Sequence, residues 1–193
     1  ICFFDIPMLS HIPNLVYLAP TNYEEMIAME RWAIYQNQYS VAIRVPEYGA
    51  YHTSEPVETD YSELNKYKVM HQGNMVAIIA AGDFYAKGEN VAKALRADGI
   101  DATLINPRYL SGIDEPLLHS LKANHQLVAT IEDGSLDGGF GERIARYYGP
   151  STMRTLCFGV KKQLYDRYDV NELLIENHLT DEQIVADIKE HII

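Results

Sequence analysis

Apolar residues fall into short runs separated by polar segments, and the first runs predict a strand, a helix and a second strand. Residues 12–20 form a short apolar run bracketed by prolines, which favour extended backbone in the residues before them. A segment with helical spacing follows, with Thr21 or Asn22 as its predicted N-cap. The run 41–45 completes a strand–helix–strand unit, which is typical of a parallel sheet.

The pattern changes between residues 47 and 66 and then resumes. Residues 47–65 contain five acidic residues and no lysine or arginine, so we predict a linker over 47–66. Beyond it, residues 67–70 predict an edge strand, and the uninterrupted apolar run 75–81 predicts a buried central strand.

The rest of the chain alternates between strand and helix patterns. One helix with Val91, Ala92 and Leu95 on one face ends at Gly99. Further strands are predicted at 102–106, 127–132 and 153–158, and further helices at 114–122, 138–147, 171–176 and 181–190. This alternation predicts a doubly wound α/β domain with a mainly parallel sheet over residues 67–193, preceded by a smaller α/β unit over residues 1–46.

Composition narrows the possible partners. Of the 193 residues, 47% are hydrophobic and 22% are charged, values typical of a folded chain. The net charge of −11 would be repelled by nucleic acid and by anionic membranes, so neither is an expected partner. The longest apolar run is too short to cross a bilayer. Two cysteines and no CxxC pair fit a reduced cytoplasmic setting, in which we place the protein.

A glycine-rich segment follows a predicted strand and opens a helix. Gly138, Gly139 and Gly141 lie where backbone N–H groups can hold a phosphate. The dinucleotide-binding spacing fails at Ile144, where a third small residue is required. The residues themselves therefore favour a tight turn with close packing of helix against strand.

Glu132 and Asp133 lie at a strand end, where open α/β sheets place their ligands. Neighbouring strand residues point to opposite faces, so the two do not form a general acid and base pair. Solvated or capping carboxylates are the favoured interpretation. The seven histidines show no metal-ligand spacing, and no GxSxG nucleophile motif occurs, so we predict no metal site and no catalytic residue.

Several segments carry a family resemblance. The stretch from Phe4 to Leu15, with 18–20 and 41–46, resembles the end of the pyrimidine-binding domain of thiamine diphosphate enzymes of the transketolase superfamily. Within that superfamily the pattern is most similar to the 1-deoxy-D-xylulose-5-phosphate synthases. Further segments resemble the C-terminal domain of transketolase. They are residues 76–82, residues 106–109 with Asp114, and residues 130–134 leading to 138–141.

The resemblance implies a parent enzyme that decarboxylates pyruvate and transfers a two-carbon unit to an aldehyde sugar phosphate. It also implies that thiamine diphosphate and magnesium are held by domains upstream of the matched segments. We therefore expect a C-terminal fragment that lacks those N-terminal domains, binds no cofactor itself, and belongs to a homodimer.

The same resemblance implies the site residues. Phe4, Asp5, Arg44 and Glu47 are expected on the substrate side. At Glu47 the family usually has an arginine that binds the substrate phosphate. The expected loop of the C-terminal domain comprises Glu132, Asp133, Gly138, Gly139 and Gly141.

Two alternatives remain open. In the first, the chain is part of a transketolase or of a 2-oxoacid dehydrogenase β subunit. In the second, it is a non-catalytic interaction domain. We also expect residues 67–193 to fold autonomously, and residues 1–46 to need a neighbour along their open sheet edge.

Overall fold

The computed structural model describes residues 3–46, 49 and 51–192. The strands in this part of the chain are β1 (Leu15–Leu18), β2 (Ser40–Ile43), β3 (Lys68–His71), β4 (Met75–Ala80), β5 (Thr103–Asn106), β6 (His125–Ser135) and β7 (Arg154–Val160). β1 and β2 form a parallel pair, and the other strands form one sheet in the order β3-β5-β4-β6-β7. Only β3 is antiparallel to its neighbour among these described strands, so the predicted mainly parallel sheet is confirmed.

Helices connect the strands, and polar side chains cap several of them. They are α1 (Asp5–Leu9), α2 (Tyr23–Tyr35), α3 (Tyr85–Ala97), α4 (Glu115–Leu121), α5 (Phe140–Tyr148), α6 (Val170–Glu176) and α7 (Asp181–His191). The Asn22 side chain accepts a hydrogen bond from the Glu25 N–H at 2.8 Å, so Asn22 is the cap of α2. The Asp114 side chain caps α4 in the same way.

Alternate residues of the central strand β4 pack into two apolar cores, one on each face of the main sheet. Val76 and Ile78 belong to one apolar core, whereas Ala77 and Ile79 belong to another on the opposite face. The first core includes residues of α3 and α7, and the second includes residues of α4 and α5. Each fully buried valine or isoleucine side chain contributes about 1.5–3 kcal/mol to stability.

The N-terminal unit is hydrogen-bonded to the main domain. The Ala19 N–H donates to the Arg108 carbonyl at 2.8 Å, and the Leu110 N–H donates to the Tyr17 carbonyl at 2.7 Å. The edge of β1 that does not face β2 is therefore covered by residues 108–110 of the same chain. Homodimerisation stays a prediction.

The segment between the two units has little regular structure over residues 51–66, yet it is anchored. Tyr61 is buried, and its carbonyl accepts a hydrogen bond from the Tyr109 hydroxyl at 2.9 Å. The Thr53 N–H donates to the Glu24 carboxylate at 2.9 Å. The predicted boundaries at 1–46, 47–66 and 67–193 remain predictions.

Candidate functional site

A cavity of about 590 Å³ opens where strands of both sheets end. Arg44 follows β2, a short 3-10 turn (Gly82–Phe84) follows β4, and Asp133 lies near the end of β6. Asp5, at the start of α1, completes the charged lining. Because the strand ends of parallel sheets are where α/β proteins place ligands, this cavity is the candidate site.

The Arg44 guanidinium joins two carboxylates from distant parts of the chain. Its Nε donates to Asp5 Oδ2 at 2.6 Å and its Nη2 donates to Asp5 Oδ1 at 3.2 Å, a bidentate pair. Its Nη1 donates to Asp133 Oδ1. The Tyr17 hydroxyl donates to Asp5 Oδ2. Only 11% of the Arg44 side chain and 6% of the Asp133 side chain are exposed, so these ion pairs are shielded from water.

The charges around Arg44 set the protonation states in the cavity. Burial opposes the charge of Arg44, but the carboxylates of Asp133 and Asp5 outweigh it and raise the pKa of the guanidinium. Burial and the bond to Asp5 raise the pKa of Tyr17, which keeps its hydroxyl protonated. Burial and the charge of Asp133 raise the pKa of Asp83. With all groups ionised, the cavity is negative.

Glu132 faces a different neighbour from Asp133. Its Oε2 accepts the Phe140 N–H and its Oε1 accepts the Gly141 N–H, both at 2.8 Å, so it caps the start of α5. Burial raises the pKa of Glu132 to about 7, against the opposing effect of the two N–H donors. Of the favoured interpretation, solvated or capping carboxylates, the capping part is confirmed for Glu132. It is wrong for Asp133, which is buried and accepts a hydrogen bond from Arg44. As expected for neighbouring strand residues, the two side chains have separate partners: Glu132 binds N–H groups of α5, and Asp133 binds Arg44.

The glycine-rich segment forms a close contact between α5 and the sheet. A Cβ on Gly139 would lie 2.4 Å from the Ser135 carbonyl oxygen. A Cβ on Gly141 would lie 2.3 Å from Thr130 Oγ1 and 3.0 Å from Cys157 Sγ. The N–H groups that could face a phosphate are instead bound to Glu132. The structure thus shows close packing here.

We expect Gly141→Ala to lower the free energy of unfolding by about 3 kcal/mol, because the new methyl group overpacks the contact with Thr130 and Cys157. Gly149→Ala, beyond the other end of α5, is the control. A Cβ there meets its nearest atom, the Arg146 carbonyl oxygen, at 3.4 Å, so we expect a change below about 1 kcal/mol. Urea denaturation of both variants provides the measurement, and equal losses would contradict the packing argument.

The structure sorts the expected site residues into groups. Asp5, Arg44 and Asp133 meet in the cavity. Phe4 is half-buried and packs against the apolar core on one face of the main sheet. Glu47 lies outside the described residues. Gly138, Gly139 and Gly141 lie at the start of α5, and Glu132, on β6, contacts that start through its carboxylate.

Sequence reasoning missed two polar side chains of the cavity lining, those of Tyr17 and Asp83. Asp83 follows the end of β4, as Asp133 lies near the end of β6, so the same positional argument would have found it. Tyr17 lies inside an apolar strand, and its hydroxyl gave no signal in the hydrophobic pattern.

Two further findings concern sites and membranes. Among the described residues, no group of three or more His, Cys, Asp and Glu side chains is arranged to hold a metal ion. No helix in the described part of the chain has the length and apolar character needed to span a membrane.

The sequence of this chain is similar to those of known enzymes. 1-Deoxy-D-xylulose-5-phosphate synthase of Alkaliphilus oremlandii is 34% identical over 192 residues, which cover 96% of this chain and 30% of that protein. The synthase of Clostridium tetani is 29% identical over 187 residues, with the same two coverages. The chain thus spans about 30% of the length of these curated relatives.

The fold is also found in a solved structure. A split gene transketolase, described as an inactive beta4 tetramer, superposes with a TM-score of 0.78 at 24% identity, over 99% of this chain and 61% of that chain. The family model for the transketolase C-terminal domain matches residues 65–184, which include β4 to β7 and the glycine-rich segment. The chain therefore belongs to the transketolase C-terminal domain family.

Proposed function

We propose that this chain is the C-terminal part of a thiamine diphosphate-dependent transferase similar to 1-deoxy-D-xylulose-5-phosphate synthase. The proposed enzyme decarboxylates pyruvate and transfers the two-carbon unit to an aldehyde. It works as a cytoplasmic homodimer in which upstream domains hold the cofactor and magnesium. Similarity to the synthases over 96% of the chain supports this proposal.

The residues of the cavity around Arg44 do not fit thiamine diphosphate. The cavity lining has three carboxylates, Asp5, Asp83 and Asp133, around Arg44. A diphosphate would meet more negative than positive charge there. We therefore assign the cavity no contact with the cofactor and propose that it forms a wall on the acceptor side.

The observation that carries this assignment is the engagement of Arg44. Its Nε, Nη1 and Nη2 atoms all donate to Asp5 or Asp133. An acceptor phosphate would have to displace a carboxylate from the guanidinium, at the cost of leaving that carboxylate buried and unpaired. By sequence, Glu47 adds a further negative charge after β2, where the resembling family has an arginine. We propose that the acceptor carries little negative charge at this wall.

The test compares glyceraldehyde with glyceraldehyde 3-phosphate as acceptors, using the complete coding sequence that contains this chain. We expect the unmodified enzyme to prefer the unphosphorylated aldehyde. Glu47→Arg should raise kcat/KM for the phosphorylated acceptor about a hundredfold, because it replaces a repulsion by a charge-assisted contact of about 3 kcal/mol in total.

Glu55→Arg is the matched control, because it makes the same change of charge at an exposed position of the intervening segment. It should leave the acceptor preference unchanged. Efficient use of the phosphorylated acceptor by the unmodified enzyme, with no gain in Glu47→Arg, would contradict the proposal.

A second candidate is a separately encoded subunit that works with a partner polypeptide. It is favoured by the solved structure with the same fold, whose description is a split gene transketolase. Sequencing the coding region upstream of Ile1 separates the two candidates. A continuous reading frame that encodes the upstream domains would contradict the subunit assignment.

A further inference from the structure

A second cavity, of about 640 Å³, lies beside the end of α1 and the start of α5. Ser10 and His11 line one side of it, and Arg143 and Arg146 line another. It shares no lining residue with the cavity around Arg44.

Two groups in this cavity have unused hydrogen-bonding capacity. The Nε and Nη2 atoms of Arg143 are buried and have no hydrogen-bond partner among the described residues. The same holds for the Ser10 hydroxyl oxygen. A buried polar group without a partner costs about 1–3 kcal/mol, and more when it is charged. An unpaired guanidinium is unusual in this protein, because its 27 Asp and Glu residues outnumber its 16 Lys and Arg residues.

The atoms left free on Arg143 define a specific geometry. Nε and Nη2 form one edge of the guanidinium, and that edge can donate two parallel hydrogen bonds to a pair of oxygen atoms. Burial lowers the pKa of Arg143, and the nearby Glu132 carboxylate offsets this effect only in part. An anion at this edge would supply both missing acceptors and the missing charge.

Other groups lining the cavity are compatible with an anion. Arg146 lies three residues after Arg143 on α5, and its exposed side chain adds a second positive charge. His11 Nδ1 lies 2.6 Å from the Pro7 carbonyl oxygen and donates to it, which fixes the ring beside the cavity. The acidic residue of the lining, Glu142, accepts the Gly138 N–H at 2.5 Å.

We propose that this cavity binds the phosphate group of a small phosphorylated molecule. The Nε and Nη2 edge of Arg143 binds two phosphate oxygens, the Ser10 hydroxyl donates to a third, and Arg146 adds charge at the rim. Ser10, which follows α1, and Arg143, on α5, together offer donors for more oxygen atoms than a carboxylate has, which favours phosphate. The site does not depend on the reaction proposed above, because none of its residues contributes to the cavity around Arg44.

The test is calorimetric titration of this chain at low salt with pyrophosphate, inorganic phosphate and acetate. We expect a dissociation constant below about 1 mM for pyrophosphate and affinity at least about tenfold weaker for acetate. Arg143→Met should weaken pyrophosphate binding by at least about thirtyfold, and Ser10→Ala by about threefold. The same substitution at an exposed arginine of α2, Arg31→Met, should leave the affinity unchanged.

Circular dichroism checks that the variants fold. If Arg143→Met does not fold, Arg143→Lys and Arg146→Met decide instead, and each should weaken binding by at least about fivefold. The proposal is overturned by absence of pyrophosphate binding to the unmodified chain, by unchanged affinity in the arginine variants, or by acetate binding as tightly as phosphate.

Discussion

Arg44→Met is expected to lower the free energy of unfolding by about 4 kcal/mol. The substitution removes the partner of Asp5 and Asp133 and leaves their carboxylates largely buried beside each other. Breaking a buried ion pair on one side costs more than the pair itself contributes, because the remaining charge has no compensation. Urea denaturation followed by circular dichroism measures the loss.

The control is Arg31→Met, which removes the same side chain from an exposed position on α2. We expect it to change stability by less than about 0.5 kcal/mol. Adding Asp133→Asn to Arg44→Met should restore part of the loss, since it removes one of the uncompensated charges. A loss below about 1 kcal/mol in Arg44→Met would show that the ion pairs do not hold the two units together.

The stability of the protein should fall by about 3 kcal/mol as the pH rises from about 4.5 to about 7, through Glu132 alone. Burial raises the pKa of this carboxyl in the folded state to about 7, above its ordinary value of 4.5. The folded state therefore binds the proton more tightly than the unfolded state does. This contribution is fully present below about pH 4.5 and is lost as the pH passes through about 7.

Glu132→Gln isolates this effect, because glutamine has nearly the same shape and does not titrate in this range. The variant has one acceptor oxygen for the two N–H groups of α5, so it will have its own offset in stability. Only the pH dependence of the difference between the two proteins is diagnostic. Carbon-13 NMR of the labelled carboxyl measures the pKa directly, and a midpoint near 4.5 would refute the prediction.

Much of the fold could be predicted from the sequence, because buried strands and amphipathic helices leave local patterns. The buried run of β4, the cap at Asn22 and the helix that starts near Asp114 are examples. Helix α1 was missed, since its five residues include Pro7 and are too few for a clear helical period. Strand β6 continues past 132 to Ser135, where it pairs with Val160 after a register shift that no local pattern encodes.

The candidate site could be predicted only in part. Asp5, Arg44 and Asp133 came from resemblance and from the rule for strand ends, but their pairing joins residues 39 and 89 positions apart. Contacts over such distances depend on how the two units dock, which hydrophobic periodicity does not specify. The buried state of Glu132 was missed for the same reason, because it depends on α5 lying against β6.

The hydrogen bonds between β1 and residues 108–110 have a consequence for biosynthesis. A ribosome makes the chain from its N-terminus, so residues 1–46 emerge while the segment that covers β1 has not been made. Asp133, the second partner of Arg44, is synthesised later still. Until then the side chains of Asp5 and Arg44 stay hydrated, because the cavity that shields them does not exist. The part of this chain that is translated first is thus expected to reach its native state last.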